Sequence, residues 1–394
     1  MLKERQIPKR ALDEIAEFIP GPEPEIKDLK IPVCEPDLRG NERKYVLEAL
    51  DSTWISSRGK FLDRFEEAFA EKVGAKYAVA VNSGTSALHL AAAALGIERY
   101  DEVIMPTFTM ISTANSVVYL GAVPRLVDSD EYWQMDARQI EQLITKNTKA
   151  IMPVHTYGHP VTIASIQDIA AIHGLIVIYD ACEAHGAEYR GEPLGKFGHA
   201  VCYSFYGNKI LTTGEGGMVT TNDPELADIV RNLKDVAFSK GRHFWHKRLG
   251  YNFRMTNLAA AIGLAQTERF EKLVIRRRTN ARLYKKGLTR IPGITTAPEA
   301  PWAKNVYWMF GILVDREEYG MGKDALRRVL ATRGIETRSF FIPIHFQPYY
   351  YRRFQGRRFP VAERLCRDGM YLPSSSLLKV KQIDRICEVI RNAH

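Results

Sequence analysis

The chain is poor in cysteine and has no long apolar run. Its five cysteines, Cys34, Cys182, Cys202, Cys366 and Cys387, are an odd number among 394 residues and lack metal-ligand spacing. They predict reduced, mostly buried thiols, and neither a disulfide framework nor a metal site. No apolar stretch approaches the roughly 20 residues that a membrane-spanning helix needs. The opening residues, MLKERQIPKRALDEIAEF, alternate charges where a signal peptide has an apolar segment, so a soluble cytoplasmic protein is the expectation. Nor does one sign of charge dominate: 55 Lys and Arg stand against 46 Asp and Glu, for a net +9. Basic clusters occur at Arg276, Arg277 and Arg278 and at Arg352, Arg353, Arg357 and Arg358, but no groove-reading motif accompanies them. This argues against a nucleic-acid partner and for a solvated basic surface, whose modest field also suits a diphosphate-bearing substrate. There is no tandem repeat or low-complexity tract.

What is present is enough apolar material for a large core: 45% of residues are hydrophobic and 26% charged, which at this length implies two domains. Apolar, β-rich runs at 77–81, 101–105, 123–127, 149–154, 175–179, 200–205 and 217–221 alternate with helical patterns such as SIQDIAAIHG at 165–174. That order predicts an α/β domain with a mostly parallel sheet covered by helices. The pattern at 258–288 predicts one extended helix leaving this domain. Beyond PGI at 292–294, a strand at 307–315 and helices around 323–333 and 381–392 predict a smaller C-terminal α+β domain. The division is an N-terminal arm or extension at 1–30, containing GPEPE, a large α/β domain at 31–270, and a linking helix with the small domain at 271–394.

The most informative stretch is YSFYGNKILTTGEGGM at 203–218, where Lys209 follows a predicted buried strand and precedes a glycine-rich turn. Upstream, the apolar run at 175–179 ends on Asp180, and the strand at 77–81 opens through Asn82, Ser83, Gly84, Thr85 and Ser86 into a small-residue helix. An amine, a strand-end carboxylate and free amides at a helix start together describe a pocket for pyridoxal phosphate (PLP): the lysine for its aldehyde, the carboxylate for its ring nitrogen, the amides for its phosphate. Each part alone has a plainer reading. The helix start is an ordinary cap, the aspartate caps the next helix, and the lysine is a solvated charge.

These segments, from about residue 31 to the C-terminus, resemble the DegT/DnrJ/EryC1/StrS family of PLP-dependent sugar aminotransferases of fold type I. The resemblance implies that Lys209 holds PLP covalently and, once displaced, moves the proton. It further implies that Gly84 and Thr85 give amides to the phosphate, that Ser204 in SFYGNK binds the phosphate, and that Asp180 pairs with the ring nitrogen. Glu183 in DACEAHGA faces the ring's hydroxyl side. Met110, in PTFTMISTAN, stands where many relatives have an aromatic ring over the cofactor, with Phe108 as a substitute. Asn252, in GYNFRMTN, corresponds to an asparagine that reaches a neighbouring subunit's cofactor, which implies a homodimer with shared active sites. His185, Arg254 and His345 are candidates for contacts near the substrate, each with a structural role as the alternative.

Within the family, PVHTYGHPV at 153–161, RHFWHKRLGYNFRMTN at 242–257 and GIETRSFFIPIHFQPYY at 334–350 resemble the branch that makes GDP-perosamine from GDP-4-keto-6-deoxymannose with L-glutamate as donor. Residue chemistry alone does not select guanine over thymine or uracil, or C4 over C3. An aminotransferase for another dTDP- or UDP-linked ketosugar stays open, as does a PLP-dependent sugar dehydratase, against which Lys209 argues, or a non-catalytic regulator.

Overall fold

The structure, a computed structural model, describes residues 7–239 and 241–393. A seven-stranded sheet runs in the order Tyr77–Val81, Gly217–Thr221, Ala200–Ser204, Ile176–Asp180, Thr148–Ile151, Glu102–Pro106, Val123–Val127. Only Gly217–Thr221 is antiparallel to its neighbours; the other pairings are parallel. A parallel sheet needs crossovers that cover both faces, and the strands at its centre are accordingly buried on both: every residue of Ala200–Ser204 and of Gly217–Thr221 is buried. The covering helices include Gly84–Ala94, Ile111–Val118 and Lys60–Val73, the last burying Phe61, Phe65 and Phe69 on one stripe and stopping at Gly74 in a left-handed cap. The expected mixed, mostly parallel α/β fold is therefore observed.

A separate antiparallel sheet, ordered Ile294–Thr296, Phe310–Val314, Gly369–Leu372, Arg338–Ser339, packs with the helices Lys323–Thr332, Pro360–Asp368 and Val380–Arg391. We propose that the large and small domains divide near residue 270, where one sheet is complete and the other has not begun.

Three local expectations are corrected. The single helix expected over 258–288 is two, Asn257–Thr267 and Phe270–Leu288. The break coincides with side chains pulled outward: Glu268 accepts from Tyr45 Oη at 2.6 Å, and Arg269 pairs with Asp37 at 2.9 Å. The strand expected over 307–315 is confined to Phe310–Val314, because Trp308 turns toward a cavity described below. The strand expected over 149–154 ends at Ile151, after which Val154 keeps only an isolated bridge to Asp180.

The first six residues of the N-terminal arm lie outside the described residues. From Ile7 onward the arm folds back onto the small domain. Its helix Lys9–Ile15 contributes Ala11 and Ile15, and the flanking residues Ile7 and Phe18, to a cluster with Phe346 and Tyr351, and the Phe18 and Phe346 rings stack at 5.4 Å. Beyond it, the Gly21 amide donates to Asp324 at 3.0 Å, and Glu23 pairs with the fully buried Arg327 and, at 3.1 Å, with Arg338.

Candidate active site

Three chain segments meet at the carboxyl ends of the central strands. Asp180 is the last residue of Ile176–Asp180, and its two oxygens are held from different sides: Thr113 Oγ1 donates to Oδ2 at 2.8 Å, and the Cys182 amide donates to Oδ1 at 3.1 Å. Both partners are short, so the carboxylate keeps a fixed orientation at 4% exposure. Beside it begins the helix Gly84–Ala94. Ser83 caps it by accepting from the Ser86 amide at 3.1 Å, which leaves the first-turn amides of Gly84 and Thr85 to an outside acceptor.

Close backbone approach brings these parts together. A Cβ on Gly84 would stand 2.7 Å from Ser204 Cβ and 2.9 Å from Cys182 Sγ, and one on Gly217 would stand 2.2 Å from the Ser83 carbonyl oxygen. Glycine at 84 and 217 thus sets the helix start directly against Ser204, whose hydroxyl sits beside the free amides.

Lys209 follows in a turn in which its amide donates to the Tyr206 carbonyl at 2.9 Å. Its side chain is 11% exposed, with Nζ 3.8 Å from Glu183 Oε1 and 3.6 Å from the centroid of the Trp308 ring. Trp308 is fixed in turn, its indole N–H donating to the Asn208 carbonyl at 2.8 Å. Glu183 Oε2 accepts from the Tyr157 amide at 2.7 Å. Burial pushes the Glu183 carboxyl up to about 7, and the Lys209 charge and the Tyr157 hydrogen bond oppose it without cancelling it. A carboxyl poised near neutrality beside a primary amine is suited to proton exchange.

Gly84, Thr85, Met110, Asp180, Glu183, Ser204 and Lys209 line one cavity of about 380 Å3, within the range of cofactor pockets. Met110, about half exposed, borders it, whereas Phe108 is fully buried among Tyr157, Phe340 and Phe341. The cavity is assigned by chemistry, since a larger one of about 570 Å3 lies behind residues 184–187 and has no strand-end aspartate.

The remaining sequence candidates are placed elsewhere. Asn252 is exposed and outside this cavity's lining, on the loop whose Phe253 carbonyl accepts from the Asn82 amide at 3.0 Å. Arg254 donates to Asp235 at 2.6 Å. His345 is buried against Thr107 Oγ1 at 2.7 Å, joining the small domain to the end of Glu102–Pro106. His185 is enclosed beside Tyr203 and Phe205, and burial holds its imidazole down to about 3.

Trp308, Asn208, Phe341 and Tyr371 also line the cavity and are not among the residues that the sequence singles out. Three of the four come from the small domain, and no local spacing marks them. Trp308 lay within a run read as strand, and only its position just before Phe310–Val314 sets it apart.

The residues present fit PLP. The cavity offers an amine, a carboxylate on a strand end, free helix-start amides beside a serine hydroxyl, and the buried Asn208 side-chain oxygen, which has no hydrogen-bond partner among the described residues.

Comparison with known proteins agrees with this chemistry. The GDP-perosamine synthase of Escherichia coli O157:H7 is 46% identical over 361 residues, spanning 91% of this chain and 97% of that protein. The GDP-perosamine synthase of Vibrio cholerae is 42% identical, spanning 92% and 98%. Among solved structures, S. venezuelae DesV superposes with a TM-score of 0.86 at 34% identity over 93% of this chain and 98% of that one. Helicobacter pylori PseC, an aminotransferase of pseudoaminic acid biosynthesis, gives 0.87 at 29% over 92% and 98%. A family profile matches residues 36–391, all but the arm and its junction at one end and three residues at the other. With a lysine, a carboxylate and a helix start converging as such chemistry requires, the chain belongs to the DegT/DnrJ/EryC1/StrS aminotransferase family.

Proposed function

We propose that the protein moves an amino group from L-glutamate, by way of PLP, to the C4 ketone of GDP-4-keto-6-deoxymannose, giving GDP-perosamine. Lys209 Nζ, enclosed between Glu183 and Trp308 in the cavity that Asp180 also lines, is the observation that carries the amino-transfer chemistry. The identity of the sugar nucleotide rests on relatives 42–46% identical over nine-tenths of the chain that bear the name GDP-perosamine synthase.

When bound, PLP supplies an aldehyde carbon that carries the amino group and a ring that stores the electron pair left when a proton departs. Lys209 would hold it, with Asp180 at the ring nitrogen, Glu183 at the hydroxyl side, and Ser204 with the Gly84 and Thr85 amides at the phosphate. The Lys209 amine, once released, takes the proton from the α-carbon of the donor. In the second half-reaction it delivers a proton to C4 of the sugar. Met110, Trp308, Phe341 and Tyr371 border the reacting space with largely apolar surface, which limits water and strengthens the electrostatics within.

Asn252 is exposed and lies outside its own cavity, and the strand Arg242–His246, a few residues earlier in the chain, exposes Phe244 and Trp245. Both support a homodimer in which Asn252 completes the partner's phosphate site. If so, Lys209→Ala and Asn252→Ala subunits, each inactive, recover up to about a quarter of wild-type activity when mixed, since hybrid dimers regain one intact site. No recovery would refute sharing.

The decisive experiment presents glutamate and a panel of GDP-, dTDP- and UDP-linked ketosugars to the purified, PLP-loaded protein. The products are read by mass spectrometry and the cofactor by visible absorbance. The expected result is amination of the GDP-4-ketosugar, with a visible band that bleaches on adding glutamate. Preference for a dTDP or UDP sugar would overturn the substrate, and a band unaffected by glutamate would overturn the reaction.

A further inference from the structure

A second cavity, of about 570 Å3, shares no lining residue with the candidate active site. Its floor is apolar and aromatic: Leu194, Tyr203, Phe270 and Val274 line it, and each is buried. Its rim is cationic, with five basic side chains against three carboxylates. Three of the bases are matched by those carboxylates: Lys72 to Glu271 at 2.7 Å, Arg278 to Glu299 at 2.6 Å, and Lys304 to Glu188. Two remain. Lys285 donates to the Tyr307 hydroxyl at 2.8 Å, and Arg282, exposed one helical turn before it, has no carboxylate partner among the described residues. The cavity therefore presents an apolar floor, with the exposed Ile275 beside it, and unbalanced positive charge at its mouth.

Its inner wall is the turn Ala184–Ala187, which directly follows Glu183. Gly186 lies there at φ +81°, so close to the helix Phe270–Leu288 that a Cβ would stand 2.7 Å from Val274. His185, between Ala184 and Gly186, is buried against Phe69, Tyr203 and Phe205, its ring stacking on Phe205 at 5.1 Å with neither ring nitrogen hydrogen-bonded among the described residues. One turn thus shows Glu183 to Lys209 on one side and forms the wall of the second cavity on the other.

We propose that this cavity is an effector site for a small organic anion with an apolar body, that body lying against Phe270 and Ile275 and its charge at Arg282 and Lys285. Occupation presses on the turn that carries Glu183 and so alters the rate.

The test uses 1-naphthyl phosphate as the probe and the PLP-loaded protein, with binding followed by calorimetry. Submillimolar binding is expected, unaffected by saturating GDP and at least tenfold tighter than that of uncharged 2-naphthol. Arg282→Glu weakens binding at least tenfold, and Thr279→Trp, which fills the cavity from the half-exposed face of the helix, abolishes it. Both variants keep basal amino transfer. In the wild type, saturating probe changes the transfer rate at least twofold, and in Thr279→Trp it does not. Displacement by GDP, binding unaltered in both variants, or no binding at millimolar probe would overturn the site, and an unchanged rate at saturation would overturn the effector role. Binding is read without turnover, so its failure is separable from failure of the proposed reaction.

Discussion

At the scale of single residues, the site places one cation against one ring and one carboxyl. A cation held over an indole face is stabilised by about 1–2 kcal/mol in a desolvated setting, and Lys209 Nζ lies 3.6 Å from the Trp308 centroid. Trp308→Leu is expected to lower kcat roughly five- to tenfold, the rate equivalent of about 1 kcal/mol, with little change in KM for the sugar. Trp308→Phe recovers part of the loss. An equal rise in KM would instead make Trp308 a substrate contact. Glu183, raised to about 7, is protonated below that pH and ionised above it. Its folded value exceeds its ordinary 4.5, so the unfolded chain ionises first and stability falls as pH rises from about 4.5 to about 7. Glu183→Gln should remove both that slope in thermal melts and an inflection near pH 7 in kcat. A profile that keeps the inflection would assign it elsewhere. Asp180 is legible in the sequence because it closes an apolar run at a strand end, where α/β folds collect chemistry. Lys209 is legible because it follows a buried strand and precedes a glycine-rich turn, a poor setting for a solvated charge. Trp308 is not, since it reaches the site by domain packing that no local pattern encodes.

At the scale of elements, two glycines decide how closely the helix start approaches its neighbours. Gly217→Ala would force Cβ against the Ser83 carbonyl at 2.2 Å, a backbone contact that cannot rotate away. We expect a loss of about 1–3 kcal/mol from overpacking and weaker cofactor retention, measured by melting and by dialysis against PLP-free buffer. An unchanged affinity would show that the helix start does not hold the phosphate. Six of the seven strands of the large sheet were legible to within a residue or two because buried strands are short, continuous apolar runs, whereas of the small sheet only Phe310–Val314 was foreseen. The split at Glu268–Arg269 was not, because 258–288 carries an uninterrupted helical pattern. The break accompanies Tyr45 and Asp37, more than two hundred residues upstream. Hydrogen bonds from Arg39 and the nearby Arg269 hold the Asp37 carboxyl down to about 2. A depressed carboxyl contributes stability above its ordinary 3.8, lost as pH falls toward 2. With Arg39 largely in solvent, Asp37→Asn should cost about 1–2 kcal/mol at neutral pH. That difference should shrink as pH falls below about 3.8 and vanish only near pH 2 in denaturant melts.

At the scale of the whole molecule, the arm joins the start of the chain to the small domain, outside the span matched by the family profile. Glu23 is the carboxylate that faces two arginines, one of them with no exposed side-chain surface. Glu23→Ala leaves Arg327 with Asp324 and Ser339 as its side-chain partners. It should cost about 1.5–3 kcal/mol, the range for hydrogen bonds to charged groups, and a melting point unchanged within error would show that the pairing contributes nothing. The sequence announced an extension through its Gly-Pro-Glu composition but not its destination, because a seven-residue amphipathic helix fits many grooves.

The arm's anchors, Asp324 and Cys366, lie 303 and 348 residues downstream of the groups they hold. During synthesis at roughly 5–20 residues per second, Ile7, Ile15 and Phe18 emerge from the ribosome tens of seconds before the surface that covers them. For that interval the nascent chain trails a bare greasy stripe, an invitation to chaperones and to neighbouring copies alike.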